Sequence, residues 1–520
     1  MGITTALLLV MLMSVHTSSY ETTILKPYKE DNFRSLVAKA CQFIDAHELC
    51  VSNIWTHVKE SGHGLNPHSV LRAAVKEAHD KAKLAMERIP TVMMLSIRSR
   101  EQVAIEDCKE LVGFSVTELA WSMLEMNKLH GGGGIDLDDG SHDAAAAGGN
   151  LKTWLSAAMS NQDTCLEGFE GTERKYEELI KGSLRQVTQL VSNVLDMYTQ
   201  LNALPFKASR NESVIASPEW LTETDESLMM RHDPSVMHPN TVVAIDGKGK
   251  YRTINEAINE APNHSTKRYV IYVKKGQTII TGDRNFMQGL TTFRTATVAV
   301  SGRGFIAKDI TFRNTAGPQN RQAVALRVDS DQSAFYRCSV EGYQDTLYAH
   351  SLRQFYRDCE IYGTIDFIFG NGAAVLQNCK IYTRVPLPLQ KVTITAQGRK
   401  SPNQNTGFVI QNSYVLATQP TYLGRPWKLY SRTVYMNTYM SQLVQPRGWL
   451  EWFGNFALDT LWYGEYNNIG PGWRSSGRVK WPGYHIMDKR TALSFTVGSF
   501  IDGRRWLPAT GVTFTAGLAN

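Results

Sequence analysis

The 520-residue sequence lacks several features that define common classes of protein. It has no apolar run long enough to cross a bilayer, so we expect no membrane span. Its Cys and His residues show no spacing typical of zinc ligands, so we expect no metal. Its Lys and Arg residues are scattered and form no basic helix or finger motif, which argues against nucleic acid. We also expect no cofactor.

The first 19 residues, "MGITTALLLVMLMSVHTSS", contain an apolar run from Ala6 to Val15 that ends in small polar residues. This run is too short to span a bilayer and is typical of a cleaved secretory signal. We therefore expect a secreted, extracellular protein.

Charge is distributed unevenly along the chain. Residues 234–520 carry 33 Lys and Arg against 17 Asp and Glu, a balance of +16, which leaves −10 for residues 1–233. A basic domain attracts polyanions, and an acidic domain on the same chain can shield it. An extracellular acidic polymer is the partner that best fits an exported protein.

Hydrophobic spacing divides the chain into two parts. Residues 31–130 and 151–205 repeat apolar residues every three or four, which predicts a helical bundle, and the Gly/Ala/Asp segment between them is predicted to be a loop. Residues 206–240 have the composition of a linker. After about Val242, short β-rich runs recur with turn residues between them, as in a sandwich, a barrel or a solenoid.

Two similar segments, "GYQDTLY" and "YGTIDFIFGN", favour the solenoid and place Asp345 and Asp366 21 residues apart. In a parallel β-helix, residues one coil apart lie above each other at about 5 Å. Two carboxylates that close cannot both ionise freely, so one can hold a proton while the other acts as a nucleophile. An Asp in a strand-rich segment is more often a turn residue, so this role depends on its neighbours.

The surrounding residues supply complementary groups. Gln344 precedes one Asp and Gln322 lies about one coil earlier, so two amide donors can face a developing oxyanion. Arg425 offers a planar fork for a carboxylate, and Trp427 offers a broad ring for a sugar.

Five motifs, in order, resemble plant pectin methylesterases. They are "GKYRTINEAI" (249–258), "QAVAL" (322–326), "GYQDTLY" (342–348), "DFIFGN" (366–371) and "LGRPW" (423–427). Ahead of them, "LKTWLSAAMSNQDTCLEGF" with four spaced cysteines is similar to the inhibitor-like pro-region of these enzymes. The resemblance covers nearly the whole chain.

The resemblance implies an all-α four-helix bundle followed by an all-β right-handed parallel β-helix, with a signal at 1–19, a pro-region at 20–205, a linker at 206–240 and a catalytic domain at 241–520. It also implies hydrolysis of methyl esters of homogalacturonan in the plant cell wall, with release of methanol. Asp366 would be the nucleophile, Asp345 the proton donor and then the base, and Gln344 the stabiliser of the transition state. The substrate would contact Thr292, Gln322, Arg425 and Trp427.

Seven cysteines are few for a chain of this length. We expect disulfides Cys41–Cys50 and Cys108–Cys165 in the bundle. Cys359 and Cys379 are about one coil apart and are also expected to join, with Cys338 left free. Asn211 and Asn263 fit the pattern for N-glycosylation.

The sequence departs from its relatives at two points. The linker "TETDESLMMRHDPS" has no basic pair ahead of Leu228, where relatives usually carry a processing motif. About two dozen residues, roughly one coil, are absent between Gly276 and Gln277, and we expect this gap to impair stability more than chemistry.

Three readings therefore remain open from the sequence. The first is an active esterase, whose inhibitor-like domain stays attached or acts separately. The second is another pectin-degrading β-helix enzyme: a lyase would need acidic calcium ligands and a polygalacturonase a set of three Asp residues. The third is a catalytically impaired wall-binding or inhibitory protein, because of the gap.

Overall fold

The computed structural model describes residues 30–62, 65–95, 99–131, 142–201, 239–263, 265, 267–274 and 278–518. The expected leader, almost all of the linker with its altered processing motif, and Asn211 lie outside the described residues. Asn263 is described and is exposed.

The described residues between 30 and 201 form six helices. They are α1 (Glu30–Ala40), α2 (His47–Glu60), α3 (Pro67–Leu95), α4 (Ser99–Gly131), α5 (His142–Glu167) and α6 (Lys175–Leu201). The four long helices contact one another in the ring α3–α4–α5–α6, and α1 and α2 pack beside α3. One side of α6 is buried from Ile180 to Tyr198, as its apolar spacing predicts. The predicted four-helix bundle is confirmed.

The predicted loop between the two helical regions is wrong in part, because α5 begins at His142. Alanine has the highest helix propensity of all residues, and the run of alanines there outweighs the neighbouring glycines. A Cβ on Gly148 would lie 2.7 Å from the Tyr198 hydroxyl, so glycine permits α5 to approach α6 closely. Residues 132–141 lie outside the described ranges.

Two disulfides tie the bundle, Cys41–Cys50 and Cys108–Cys165, as predicted. The first joins the end of α1 to α2, and the second joins α4 to α5. The first disulfide therefore ties together the two helices that flank the ring, and the second ties together two helices within the ring.

Parallel strands, numbered along the chain, form the second part. A two-stranded sheet holds β1 (Thr241–Val243) and β2 (Ile271–Val273), with helix α7 (Ile254–Glu260) between them. The first large sheet holds β4 (Val298–Val300), β7 (Leu326–Val328), β10 (Leu347–Ala349), β13 (Ile365–Gly370), β16 (Val392–Gln397) and β19 (Thr421–Pro426). The second holds β5 (Ile306–Lys308), β8 (Ser333–Tyr336), β11 (Arg353–Arg357), β14 (Ala373–Gln377), β17 (Gly407–Gln411), β20 (Arg432–Met436), β22 (Trp462–Tyr466) and β23 (Tyr484–Ile486). The third holds β3 (Thr278–Gly282), β6 (Ile310–Asn314), β9 (Ser339–Glu341), β12 (Glu360–Gly363), β15 (Lys380–Thr383), β18 (Tyr414–Leu416) and β21 (Tyr439–Met440).

Successive strands join the three large sheets in turn, so each coil of the chain adds one parallel strand to every sheet. Phe335, Phe367 and Phe408 are among the fully buried residues of the core between the sheets. Three short helices, α8 (Lys489–Leu493), α9 (Val497–Phe500) and α10 (Gly503–Trp506), pack with Trp506 against the second sheet. The predicted right-handed parallel β-helix is confirmed.

The small sheet at the amino-terminal end of the β-helix is paired separately from the large sheets, and residues 275–277 between them lie outside the described ranges. Strand β2 ends at Val273 and pairs with β1, whereas β3 begins at Thr278 and pairs with β6. Among the described strands, β1 and β2 are hydrogen-bonded to none of the three large sheets. The Arg268 side chain donates to the Gly304 carbonyl over 3.1 Å, which holds this small sheet against the first coil.

The predicted Cys359–Cys379 disulfide is wrong, since Cys338, Cys359 and Cys379 are all free and buried. The three residues precede β9, β12 and β15 and stack one coil apart. Neighbours in a parallel ladder lie about 4.8 Å apart with parallel side chains, whereas a disulfide draws its Cβ atoms to about 3.8 Å. Instead, the thiols of Cys359 and Cys379 donate to the carbonyls of Phe335 (3.4 Å) and Tyr356 (3.5 Å).

Alkylation in denaturant without reductant is therefore expected to modify three cysteines, Cys338, Cys359 and Cys379. In the folded protein the same reagent should modify none of these three, because all are buried and burial raises the pKa of the Cys338 and Cys359 thiols. Peptide mapping by mass spectrometry reads out both experiments. A cross-linked pair of peptides that contain Cys359 and Cys379 would contradict the structure.

Candidate active site

The two aspartates of the paired motifs lie side by side at the amino-terminal ends of β10 and β13, two central strands of the first sheet. Leu347 pairs with Ile368 across β10 and β13, so the same register two residues earlier sets Asp345 opposite Asp366. The Asp345 amide donates to the Ile365 carbonyl over 3.1 Å, which keeps the two coils in this register. The stacking expected from the 21-residue spacing is what the structure shows.

A bulge turns Asp366 out of the regular ladder. Ile365 pairs with Thr393 and Ile368 with Thr395, so two residues of β13 face one residue of β16. Asp366 has φ of 50° and Asp345 has φ of 62°, both in the left-handed region, which Asp tolerates better than most residues. Strain of this kind is common where a side chain is aimed at a reactant.

Two side chains hold the Asp366 carboxylate. The Arg425 guanidinium donates from Nε to Oδ1 over 2.8 Å and to Oδ2 over 3.1 Å, and a second nitrogen also donates to Oδ2. The Thr393 hydroxyl donates to Oδ1 over 2.7 Å. Burial lowers the pKa of Arg425, but the charge of Asp366 and its hydrogen bonds outweigh burial, so the pKa of Arg425 is raised.

Asp345 has a different environment. Burial, and next the charge of Asp366, raise the pKa of Asp345 well above its usual range, and Arg425 only partly offsets them. Glu170 of the bundle adds a smaller effect of the same sign. Asp345 is therefore suited to hold a proton beside a carboxylate that accepts hydrogen bonds from Arg425 and Thr393. Such a pair can attack an ester and protonate its leaving group.

The two glutamines lie half-buried beside this pair, and the Ala323 amide donates to the Gln344 carbonyl over 3.2 Å. The side-chain oxygen of Gln322 is buried and has no hydrogen-bond partner among the described residues. Thr292 is half-buried in a short 3₁₀ helix, while its neighbour Thr291 is buried and bonded to Asp107 of the bundle.

Aromatic rings form the floor next to the aspartates. Tyr348 stacks on Phe369 with ring centroids 4.1 Å apart, and Phe369 meets Trp427 edge-on at 5.9 Å. Trp452 lies under the Arg425 guanidinium at 4.2 Å. The sequence analysis identified Trp427 but missed Trp452, which follows it by 25 residues in "WLEWFGN".

The helical bundle covers this floor. Its apolar core is continuous with side chains of the β-helix that include Phe293, Tyr348 and Phe369, and Trp427 and Trp452 pack against the same cluster. Asp345 is 8% exposed and Asp366 is 5% exposed. Polar contacts across the boundary join Trp154 to Asp331 (2.9 Å), Asn150 to Arg353 (2.7 Å), Ser160 to Asn371 (2.7 Å), Ser156 to Gln404 (3.0 Å) and Thr164 to His350 (3.0 Å).

The ion pairs described across the boundary share one polarity. In each, the bundle supplies the carboxylate and the β-helix supplies the cation; the pairs are Asp107–Arg294, Glu110–Arg294 (3.0 Å), Glu110–Arg327 (3.0 Å), Asp163–Lys400 (2.5 Å) and Glu167–Lys428. Burial raises the pKa of Asp107 to about 6, against the opposing effects of Thr291 and Arg294. This arrangement accounts for the opposite net charges of the two halves of the sequence.

Among the described residues, no group of three or more His, Cys, Asp or Glu side chains is placed to hold a metal ion. Within the same ranges, no helix is both long and apolar enough to cross a membrane.

Comparison with protein families gives two matches. The pectinesterase family model matches residues 240–278 and 275–504, and the plant invertase/pectin methylesterase inhibitor model matches residues 35–197. The pectinesterase match is divided into two segments that meet at residues 275–278, where the sequence shows its gap.

Individual proteins give the same picture. Pectinesterase/pectinesterase inhibitor 22 of Arabidopsis thaliana is 96% identical over 543 aligned positions that cover all of both chains. Pectinesterase 2 of Citrus sinensis is 44% identical over 480 residues, covering 86% of this chain and 88% of its own. The solved pectin methylesterase from carrot is 52% identical, with a TM-score of 0.54, over 55% of this chain and all of its own.

The alignment with the Arabidopsis relative also measures the gap. Its 543 positions exceed the 520 residues of this chain by 23, close to the two dozen expected from the sequence. Every residue that the sequence analysis assigned to the chemistry lies after Gln277, in the described part of the β-helix.

Proposed function

The chain belongs to the pectinesterase family, and we propose that Asp366 and Asp345 perform its ester hydrolysis at the site described above. The protein is a carbohydrate esterase that hydrolyses the methyl esters of cell-wall pectin. The observation that carries the assignment of roles is the asymmetry of the pair: Asp366 is bonded to Arg425 and Thr393, while the pKa of Asp345 is raised.

In the first half of the reaction, an Asp366 oxygen attacks the carbonyl carbon of the methyl ester. The carbon–methoxy bond breaks, Asp345 gives its proton to the departing oxygen, and methanol leaves a mixed anhydride on Asp366. The side-chain amides of Gln344 and Gln322 donate to the oxyanion that forms during attack.

In the second half, ionised Asp345 takes a proton from water, and the resulting hydroxide attacks the sugar carbonyl of the anhydride. The anhydride bond breaks, which releases the galacturonic acid group and restores Asp366 as a carboxylate and Asp345 as an acid; the product acid then gives its proton to solvent. The sum is ester plus water to acid plus methanol, and it uses no metal or cofactor.

The substrate is methyl-esterified homogalacturonan, a polymer that gains negative charge as the reaction proceeds. The positive charge of residues 234–520 attracts such a polymer, and Trp427 offers an aromatic face to its rings. Thr292, half-buried in its 3₁₀ helix, contacts the bound sugar. We assign the protein to the plant cell wall, with the leader at 1–19, the pro-region at 20–205, the linker at 206–240 and the catalytic domain at 241–520.

The helical domain acts as a cover. A polymer cannot reach two carboxylates that are 8% and 5% exposed while α5 and the segment after it lie over them. The bundle has to move away, or be removed, before substrate enters. The alternative of an impaired wall-binding protein is not favoured, because the chain belongs to the esterase family along its whole length and retains the paired aspartates with their partners.

The test is methanol release from methylated pectin by the purified full chain, with de-esterified pectate as the blank. We expect a low rate that rises about tenfold or more in the variant D163K/E167K, because both reversed side chains then repel Lys400 and Lys428 across the boundary.

The matched control reverses the partners as well. Adding K400E and K428E to D163K/E167K restores both ion pairs with opposite polarity, so the rate is expected to return to the low value. A rate equal in the natural chain and in D163K/E167K would contradict the covering role. Absence of methanol from every variant with an intact fold would contradict the assigned chemistry.

A further inference from the structure

The hydrogen bonds of Thr393 have a direction that the structure fixes. Its Oγ1 lies 3.0 Å from the Asp366 backbone nitrogen and 2.7 Å from Asp366 Oδ1. A backbone N–H can only donate, so the hydroxyl accepts there and its own proton must point at the carboxylate. Thr393 is fully buried, so water does not compete for either bond.

The bulge in β13 explains why a side chain makes these bonds. In an unbroken parallel ladder the Asp366 N–H would donate to a carbonyl of β16, but the register shifts between Ile365 and Ile368. The N–H therefore has no ladder partner in β16, and the Thr393 hydroxyl takes that place. The Thr393 hydroxyl thus accepts a hydrogen bond from the Asp366 N–H and donates one to the Asp366 carboxylate.

Arg425 alone does not fix the orientation of the Asp366 carboxylate in this way. Its Nε is shared between both oxygens of Asp366, and it comes from β19, two strands away in the sheet. Thr393 lies in the adjacent strand and bonds both the backbone and the side chain of Asp366. These two bonds together fix how the Asp366 side chain is rotated relative to its strand.

We propose that Thr393 is a positioning residue that holds the Asp366 carboxylate oriented for attack. This proposal rests on the proposed role of Asp366 as nucleophile. Thr393 itself does not touch the substrate, so its loss should affect the chemical step and not the binding of the polymer.

The experiment compares three variants, Thr393→Val, Thr393→Ser and Thr395→Val, in the full chain and in D163K/E167K. Valine keeps the shape of threonine and removes the hydroxyl, while serine keeps the hydroxyl. Thr395 is the matched control: it is fully buried in the same strand, but its hydroxyl donates to the Leu423 carbonyl over 3.0 Å and not to Asp366.

We expect Thr393→Val to lower kcat by about 10- to 100-fold with little change in KM, because a hydrogen bond to a charged group is lost. Thr393→Ser should recover to within about threefold of the natural rate, and Thr395→Val should remain within the same range.

Two results would overturn the proposal: a folded Thr393→Val variant with the natural kcat, or an equal loss of kcat in Thr395→Val. These outcomes differ from failure of the proposed function. If the proposed function were wrong, Asp366→Asn would itself remain active. If only the inference about Thr393 were wrong, Asp366→Asn would be inactive and Thr393→Val would be active.

Discussion

Replacing Asp366 with asparagine is expected to lower methanol release by about 10⁴-fold or more, measured in the D163K/E167K background where the site is open. An amide cannot attack the ester to form the anhydride, and it gives Arg425 no negative charge to pair with. Asparagine tolerates the left-handed backbone at this position, where φ is 50°, so the strand conformation should be kept.

Asp358→Asn is the matched control for this substitution. Asp358 has φ of 53° and lies in the turn directly after β11, earlier in the same coil than Asp366. Its carboxylate pairs with Arg357 at 3.2 Å. It is remote from the chemistry, so its variant should keep nearly full activity. A folded Asp366→Asn protein that retains most of its activity would contradict the nucleophilic role.

Replacing Asp345 with asparagine is expected to lower methanol release by about 10³-fold and to stabilise the fold at neutral pH. The first effect follows because asparagine can neither protonate methanol nor activate water. The second follows because burial and Asp366 raise the pKa of Asp345, so ionising it in the folded state costs free energy.

The sign of the stability effect depends on pH. A carboxyl group whose pKa is raised on folding is neutral in both states well below its unfolded value of about 3.9, and it destabilises the fold progressively as the pH rises above that value. Asp345→Asn should therefore raise Tm by about 2 °C or more at pH 7 and leave it nearly unchanged near pH 3. A variant with lower Tm at pH 7, or with natural activity, would contradict this account.

The two substitutions should not be additive. In the proposed mechanism Asp345 protonates the group that Asp366 displaces, so removing both should cost little more than removing Asp366 alone. Independent, multiplicative losses would indicate that the two carboxylates act in separate steps.

Much of this site follows from sequence because a parallel β-helix converts spacing into distance. Twenty-one residues separate Asp345 from Asp366, and the register of β10 and β13 brings them together. The same logic gave a wrong result for Cys359 and Cys379, since proximity in a ladder does not supply the geometry of a disulfide.

The contribution of Thr393 could not be read from the sequence. It depends on a bulge between Ile365 and Ile368, and nothing in "TIDFIFGN" marks where the register shifts. The covering bundle was foreseen only as a possibility from family resemblance and from opposite charges. Its position over Tyr348 and Phe369 depends on tertiary packing, which periodicity does not encode.

The central claim is that Asp366 becomes covalently acylated, and borohydride trapping tests it most directly. Borohydride reduces an acylated aspartate to homoserine and leaves free carboxylates unchanged, and trypsin separates the two aspartates into peptides 338–353 and 358–380. During turnover of methylated oligogalacturonate by D163K/E167K, we expect homoserine at 366 in the second peptide, and none when pectate replaces the ester. Homoserine at 345 instead, or at neither position while methanol is being released, would contradict the account.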